Sequence, residues 1–133
     1  MNAEQYLKAA IIAKMGELND YWPSQPVTPE NVDEMYEEAD QDWATQDAKS
    51  ETRGGEVETG IKCEYSRHYE SKAVAMKMPD GQWVGWTYWY GGGKHGEPEA
   101  IDWIEDAYLL NCVEEEKMVT VRTFTAVQDE AEA

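Results

Sequence analysis

The sequence predicts an α+β fold: two N-terminal helices packed on a four- to five-stranded antiparallel meander. Three observations carry this. Apolar residues recur at helical spacing up to about residue 48, they alternate with polar ones from residue 61 onward, and a polar stretch with two adjacent glycines separates the two regimes. The expected organisation is a single domain over 1–127, made of an acidic helical half (1–48), a flexible loop (49–60) and aromatic strands (61–127). A frayed acidic tail (128–133) follows.

The first helix is expected over 2–18. Leu7, Ile11, Met15 and Leu18 fall on one stripe, and Gly16 or Asn19 is placed to end it. Tyr21-Trp22-Pro23-Ser24-Gln25-Pro26 then breaks the helix, with two prolines fixing an extended loop. A second helix is expected to start with Thr28 as cap and Pro29 at its first position. It carries Val32, Met35, Tyr36, Ala39 and Trp43 as its inner stripe and ends near Ala48. In the strand half, Ile61, Cys63, Tyr65, Arg67 and Tyr69 alternate, as do Val74, Met76 and Met78. Pro79-Asp80-Gly81-Gln82 reads as a turn into a strand from Trp83 to Tyr90. A glycine-rich loop (91–96) and a short helical turn within 97–106 come next. Two last strands, 107–113 and 118–127, are joined at Glu114-Glu115-Glu116-Lys117.

Charge narrows the function. The 133-residue chain holds 28 Asp and Glu against 11 Lys and Arg, a formal charge of −17. Such a surface repels phosphate backbones and anionic membranes, so neither nucleic acid nor a membrane is an expected direct partner. No apolar run approaches ~18 residues, and the first residues lack the basic and apolar regions of a signal peptide, so the expected location is cytoplasmic.

No lysine or arginine occurs from Met15 through Ala48, a stretch with ten acidic residues. Glu30, Asp33, Glu34, Glu37, Glu38, Asp40, Asp42 and Asp47 are the candidate partner-binding row. At ~1.5 Å rise per residue, charges four apart recur every ~6 Å, a spacing like that of successive phosphates. Like charges at this spacing cost a helix roughly 0.2–0.5 kcal/mol per pair, and a surface selected only for solubility would intersperse lysine. Trp43, Trp86, Trp89 and Tyr90 are the candidate aromatic anchors, since a strand with aromatics on both faces exposes some of them to a partner.

Other chemistry is weakly supported. Cys63, Cys112, His68 and His95 each stand alone, without the close pairs of a zinc site. Asp40, Asp42 and Glu51 match three positions of a calcium loop, but Thr45 stands where its glycine belongs. The glycine loop lacks a phosphate-loop pattern, and no nucleophile motif is present. No cofactor or metal and no enzymatic activity are expected.

The expected function is that of an acidic interaction protein. It would occlude the basic nucleic-acid-binding surface of a protein or nuclease complex by mimicking phosphate charge. In composition the chain resembles the bacteriophage anti-restriction and anti-CRISPR inhibitors, and a neutraliser of a basic nuclease toxin would look alike. That resemblance is to a functional class and carries no residue with it. The alternative is a nucleotide- or sugar-binding module built from the aromatic strand and the glycine loop. A homodimer through the aromatic surface is compatible with either.

Overall fold

The computed structural model describes residues 1–127, and the tail expected at 128–133 lies outside them. Three helices precede a four-stranded antiparallel sheet: α1 (Ala3–Asn19), α2 (Val32–Gln41), α3 (Gln46–Arg53), β1 (Val57–Glu58), β2 (Glu70–Lys77), β3 (Trp83–Tyr90) and β4 (Tyr108–Leu110). The strands lie in chain order, β1-β2-β3-β4, so the sheet is a meander. The α+β class and the packing of N-terminal helices on the sheet are as the sequence predicts. No helix among the described residues is long and apolar enough to cross a membrane.

Helix α1 starts with a reciprocal cap. The Asn2 side chain accepts from the Gln5 N–H at 2.8 Å, and the Gln5 side chain accepts from the Asn2 N–H at 3.0 Å. Leu7, Ile11, Ile12 and Met15 form its buried stripe, whereas Leu18 is exposed. The helix stops at Asn19 because Asp20 turns left-handed, at φ 54°, and its N–H still reaches the Gly16 carbonyl.

The expected long second helix is two helices. Helix α2 starts at Val32 with Asn31 as its cap residue, not with Thr28 and Pro29, which lie in an entry turn whose Thr28 carbonyl accepts from the Val32 N–H. Asn31 holds that entry turn by accepting from the Thr28 N–H and donating to the Pro26 carbonyl. Ten residues later α2 closes. The Ala44 N–H bonds the Ala39 carbonyl and the Trp43 N–H bonds the Asp40 carbonyl, with Trp43 left-handed at φ 59°. This is the helix-ending motif that glycine normally occupies. Helix α3 takes residues that the sequence assigned to a flexible loop.

The sheet reproduces the turn at 79–82 and the eight-residue strand β3. Val84, Trp86 and Tyr88 face the helices, and Trp83, Thr87 and Trp89 face away. One core joins Leu7, Ile11, Met15, Val32 and Tyr36 to Val74, Val84, Trp86 and Trp103. Trp86 and Trp103 lie 5.5 Å apart, ring centre to ring centre.

Two expected strands are absent among the described residues. Segment 61–69 is irregular because residues 56–59 already bond the outer edge of β2 at Ala73 and Ala75. Segment 118–127 keeps its alternation but pairs with nothing, and Phe124 is 86% exposed. Strand β4 is correspondingly three residues long. The cysteines also differ from expectation. Cys63 is half-buried in irregular chain and Cys112 is exposed beyond β4, although both fall within the strands expected at 61–69 and 107–113.

Candidate acidic interface

Helix α2 lays Val32, Tyr36 and Ala39 on the core, which turns Glu34, Glu37 and Glu38 outward. None of these three has an ion-pair partner among the described residues, and neither do Glu30, Asp42 or Asp47. Glu30 lies in the entry turn instead of the helix, while Asp42 and Asp47 lie at and beyond the break. The continuous helical row read from the sequence is therefore shorter, and its other members are displaced from it.

Asp33 and Asp40 differ in kind, because each is bound within the molecule. Asp33 bonds the Lys8 ammonium at 3.0 Å and the Gln5 amide at 3.1 Å, tying α2 to α1. Asp40 accepts from the Lys49 ammonium and from the Thr45 hydroxyl, each at 2.6 Å, tying α2 to α3. These contacts hold both carboxyls below the ordinary carboxylate range, chiefly through the lysine hydrogen bond in each case. Burial opposes the charge on Lys8 and Lys49, yet their carboxylate bonds leave both ammoniums above the ordinary lysine value. The two lysines also sit over the Tyr36 ring, at 5.5 and 5.6 Å from its centre. Lys8, Asp33, Tyr36, Asp40 and Lys49 line one groove with Asp102 and Glu105, and there the Glu105 carboxyl is raised by its hydrogen bond to Asp102 and by that neighbour's charge. The calcium-loop match thus resolves into an Asp40–Thr45–Lys49 knot. Among the described residues, no group of three or more His, Cys, Asp or Glu is placed to hold a metal ion.

The aromatic anchors separate. Trp43 stands 75% exposed at the break between α2 and α3, flanked in sequence by Asp42 and, four residues on, Asp47. Trp86 has no exposed surface, and its indole N–H donates to the Arg53 carbonyl at 2.8 Å. It is a core residue and not an anchor, because the helix side of β3 is where the core forms. Trp89 lies on the sheet face away from the helices, so the fold does not bring it to the acidic face. Tyr90 stacks on Tyr88 with ring centres 5.8 Å apart, and Lys72 lies over both rings.

The glycine loop is folded on itself. Gly91, Gly92 and Gly93 all have positive φ, and the Tyr69 ring lies where a Gly92 side chain would begin. The Tyr69 hydroxyl accepts from the Glu97 N–H at 3.2 Å. His68 and His95 are both exposed.

Sequence reasoning missed Tyr21 and Trp22, taken only as a helix break, although both are exposed beside α2. The available signal was Gly16, read only as a possible helix end although Leu18 continues the apolar stripe beyond it, so that the glycine needs a packing reason. No protein-family model matches the chain, and comparison with curated proteins and with solved structures finds no match.

Proposed function

We propose that this chain is a non-enzymatic, acidic interaction protein acting in the cytoplasm as a phage-type inhibitor. It covers the basic nucleic-acid-binding surface of its target with phosphate-like charge. The observation that carries the reading is the outer side of α2. There, three carboxylates without an ion-pair partner among the described residues lead to an exposed tryptophan, held in a backbone conformation that bulky residues avoid. Left-handed strain at an exposed aromatic points to a use outside the fold. The carboxylates steer a basic partner toward the face, and Trp43 slows its release.

The test is capture of partners from bacterial lysate on the tagged chain at low and high salt, read by mass spectrometry. A nuclease or another nucleic-acid-binding complex is expected at low salt only. Charge reversal of Glu34, Glu37 and Glu38 to lysine should abolish its recovery with the circular dichroism unchanged. Undiminished recovery by the folded triple variant would sink the reading.

A further inference from the structure

Two flanks of α2 can be compared. On one, Tyr36 with Asp33 and Asp40 already holds two ammonium groups, those of Lys8 and Lys49. The other flank carries the same kinds of group without a cation. A cleft of about 260 Å³ opens there between the end of α1 and the side of α2, with Ile12 and Met15 among its floor residues. Tyr21, Trp22 and Met35 wall it, and Glu38 lines it as its carboxylate. No residue lining it is a lysine, arginine or histidine.

The Trp22 ring is built into this place. It lies flat against Gly16, where any Cβ would collide with three of its ring carbons. Glycine inside a helix costs ~0.5–1 kcal/mol relative to alanine, and the seat for this indole is what Gly16 provides. The indole N–H donates to the Asp20 carboxylate at 2.7 Å, which fixes the ring's orientation. Even so, Trp22 remains 60% exposed. The last turn of α1 also has no basic residue, so the negative end of a 17-residue helix adjoins the cleft without a compensating charge.

We propose that this cleft receives a cationic side chain of the target, with arginine its preferred occupant. The proposal rests on the basic-partner reading above and names what that partner inserts. A guanidinium is planar and weakly hydrated, so it stacks on an indole while its N–H groups reach a carboxylate, whereas an ammonium is a compact, strongly hydrated charge. The cleft's volume is below the ~300–1,000 Å³ of clefts that enclose a drug-sized ligand, and it suits one side-chain head.

The experiment is a titration of the ¹⁵N-labelled full chain with N-acetyl-arginine amide, N-acetyl-lysine amide and the neutral N-acetyl-citrulline amide at constant ionic strength. The readout is the Trp22 indole N–H resonance, assigned by its loss in Trp22→Phe. A saturable shift is expected with the arginine probe, a smaller one with the lysine probe and none with citrulline. Glu38→Gln should weaken the arginine titration about fivefold. Gly16→Ala should weaken it too, while α1 persists by circular dichroism. The proposal is overturned if arginine moves Trp22 no more than citrulline does, or titrates Glu38→Gln unchanged.

Glu34→Lys with Glu37→Lys leaves the cleft intact and separates the two readings. If that pair abolishes partner capture while the arginine probe fails to bind, the cleft is refuted and the acidic-face reading stands. If the probe titrates Trp22 but capture survives the pair, the cleft is supported and the acidic-face reading falls.

Discussion

Trp43 occupies the helix-ending position that glycine fills at least cost. A left-handed residue with a side chain loses ~1–2 kcal/mol, and glycine's larger unfolded-state entropy offsets ~0.5–1 of that. Trp43→Gly is therefore expected to raise stability in urea by about 0.5–1 kcal/mol while lowering partner capture. A Trp43→Gly variant less stable than the parent would mean that the indole is a packing residue. The sequence showed Trp43 on an apolar stripe with Val32, Tyr36 and Ala39. It did not show the one reversed φ that takes Trp43 off that stripe and into solvent. Trp86 erred in the other direction. Periodicity placed it on a face with Val84 and Tyr88, but which face the helices cover is set by packing between distant segments. The exposure of Glu34, Glu37 and Glu38 was legible because a charged helix face opposite an apolar stripe has nowhere else to go.

The junction between α2 and α3 is an element held by one carboxylate, Asp40, shared between Lys49 and Thr45. Its folded pKa lies below the ordinary value of about 3.8, so the ionised form favours the folded state. That contribution is present above the ordinary value and is lost as pH falls through the lower, folded one. Asp40→Asn should then be less stable than the parent at pH 7, and the gap between their urea midpoints should close as pH drops below about 4. A gap independent of pH would assign the loss to hydrogen bonding without charge. Among the strands, β2, β3 and their turn were legible because alternation and turn chemistry are local. Segments 61–69 and 118–127 alternate equally well and are not strands. On the outer edge of β2 residues 56–59 pair in place of 61–69, and 118–127 forms no ladder beside β4; which segments pair is decided between distant parts of the chain, and no local pattern records it.

At the scale of the whole molecule, a formal charge of −17 acts in two opposite ways. It repels itself within the fold and attracts a basic partner from outside, and salt screens both, with a Debye length of ~8 Å at physiological ionic strength. Raising sodium chloride is expected to increase the melting temperature of the free chain while reducing capture of its partner. A melting temperature that falls with salt would mean that the Lys8 and Lys49 ion pairs outweigh the net repulsion.

The irregular run from Asn111 to Val127 has one more consequence, for digestion. A protease needs extended, unpaired chain, which this stretch offers together with two trypsin sites, Lys117 and Arg122. Lys8, Lys14, Lys49 and Arg53 lie in helices, and Lys72 and Lys77 lie in β2; Lys62, Arg67 and Lys94 are exposed in shorter irregular segments, 59–69 held at both ends by β1 and β2 and 91–97 held at its start by β3. Brief trypsin treatment should therefore trim the chain first at Lys117 and Arg122. The product should be a slightly shorter species that keeps α1, α2 and the acidic face. If it still captures the same target, the minimal binding unit ends near residue 117, and the chain beyond it is available for tags, labels or fusion without touching the acidic face.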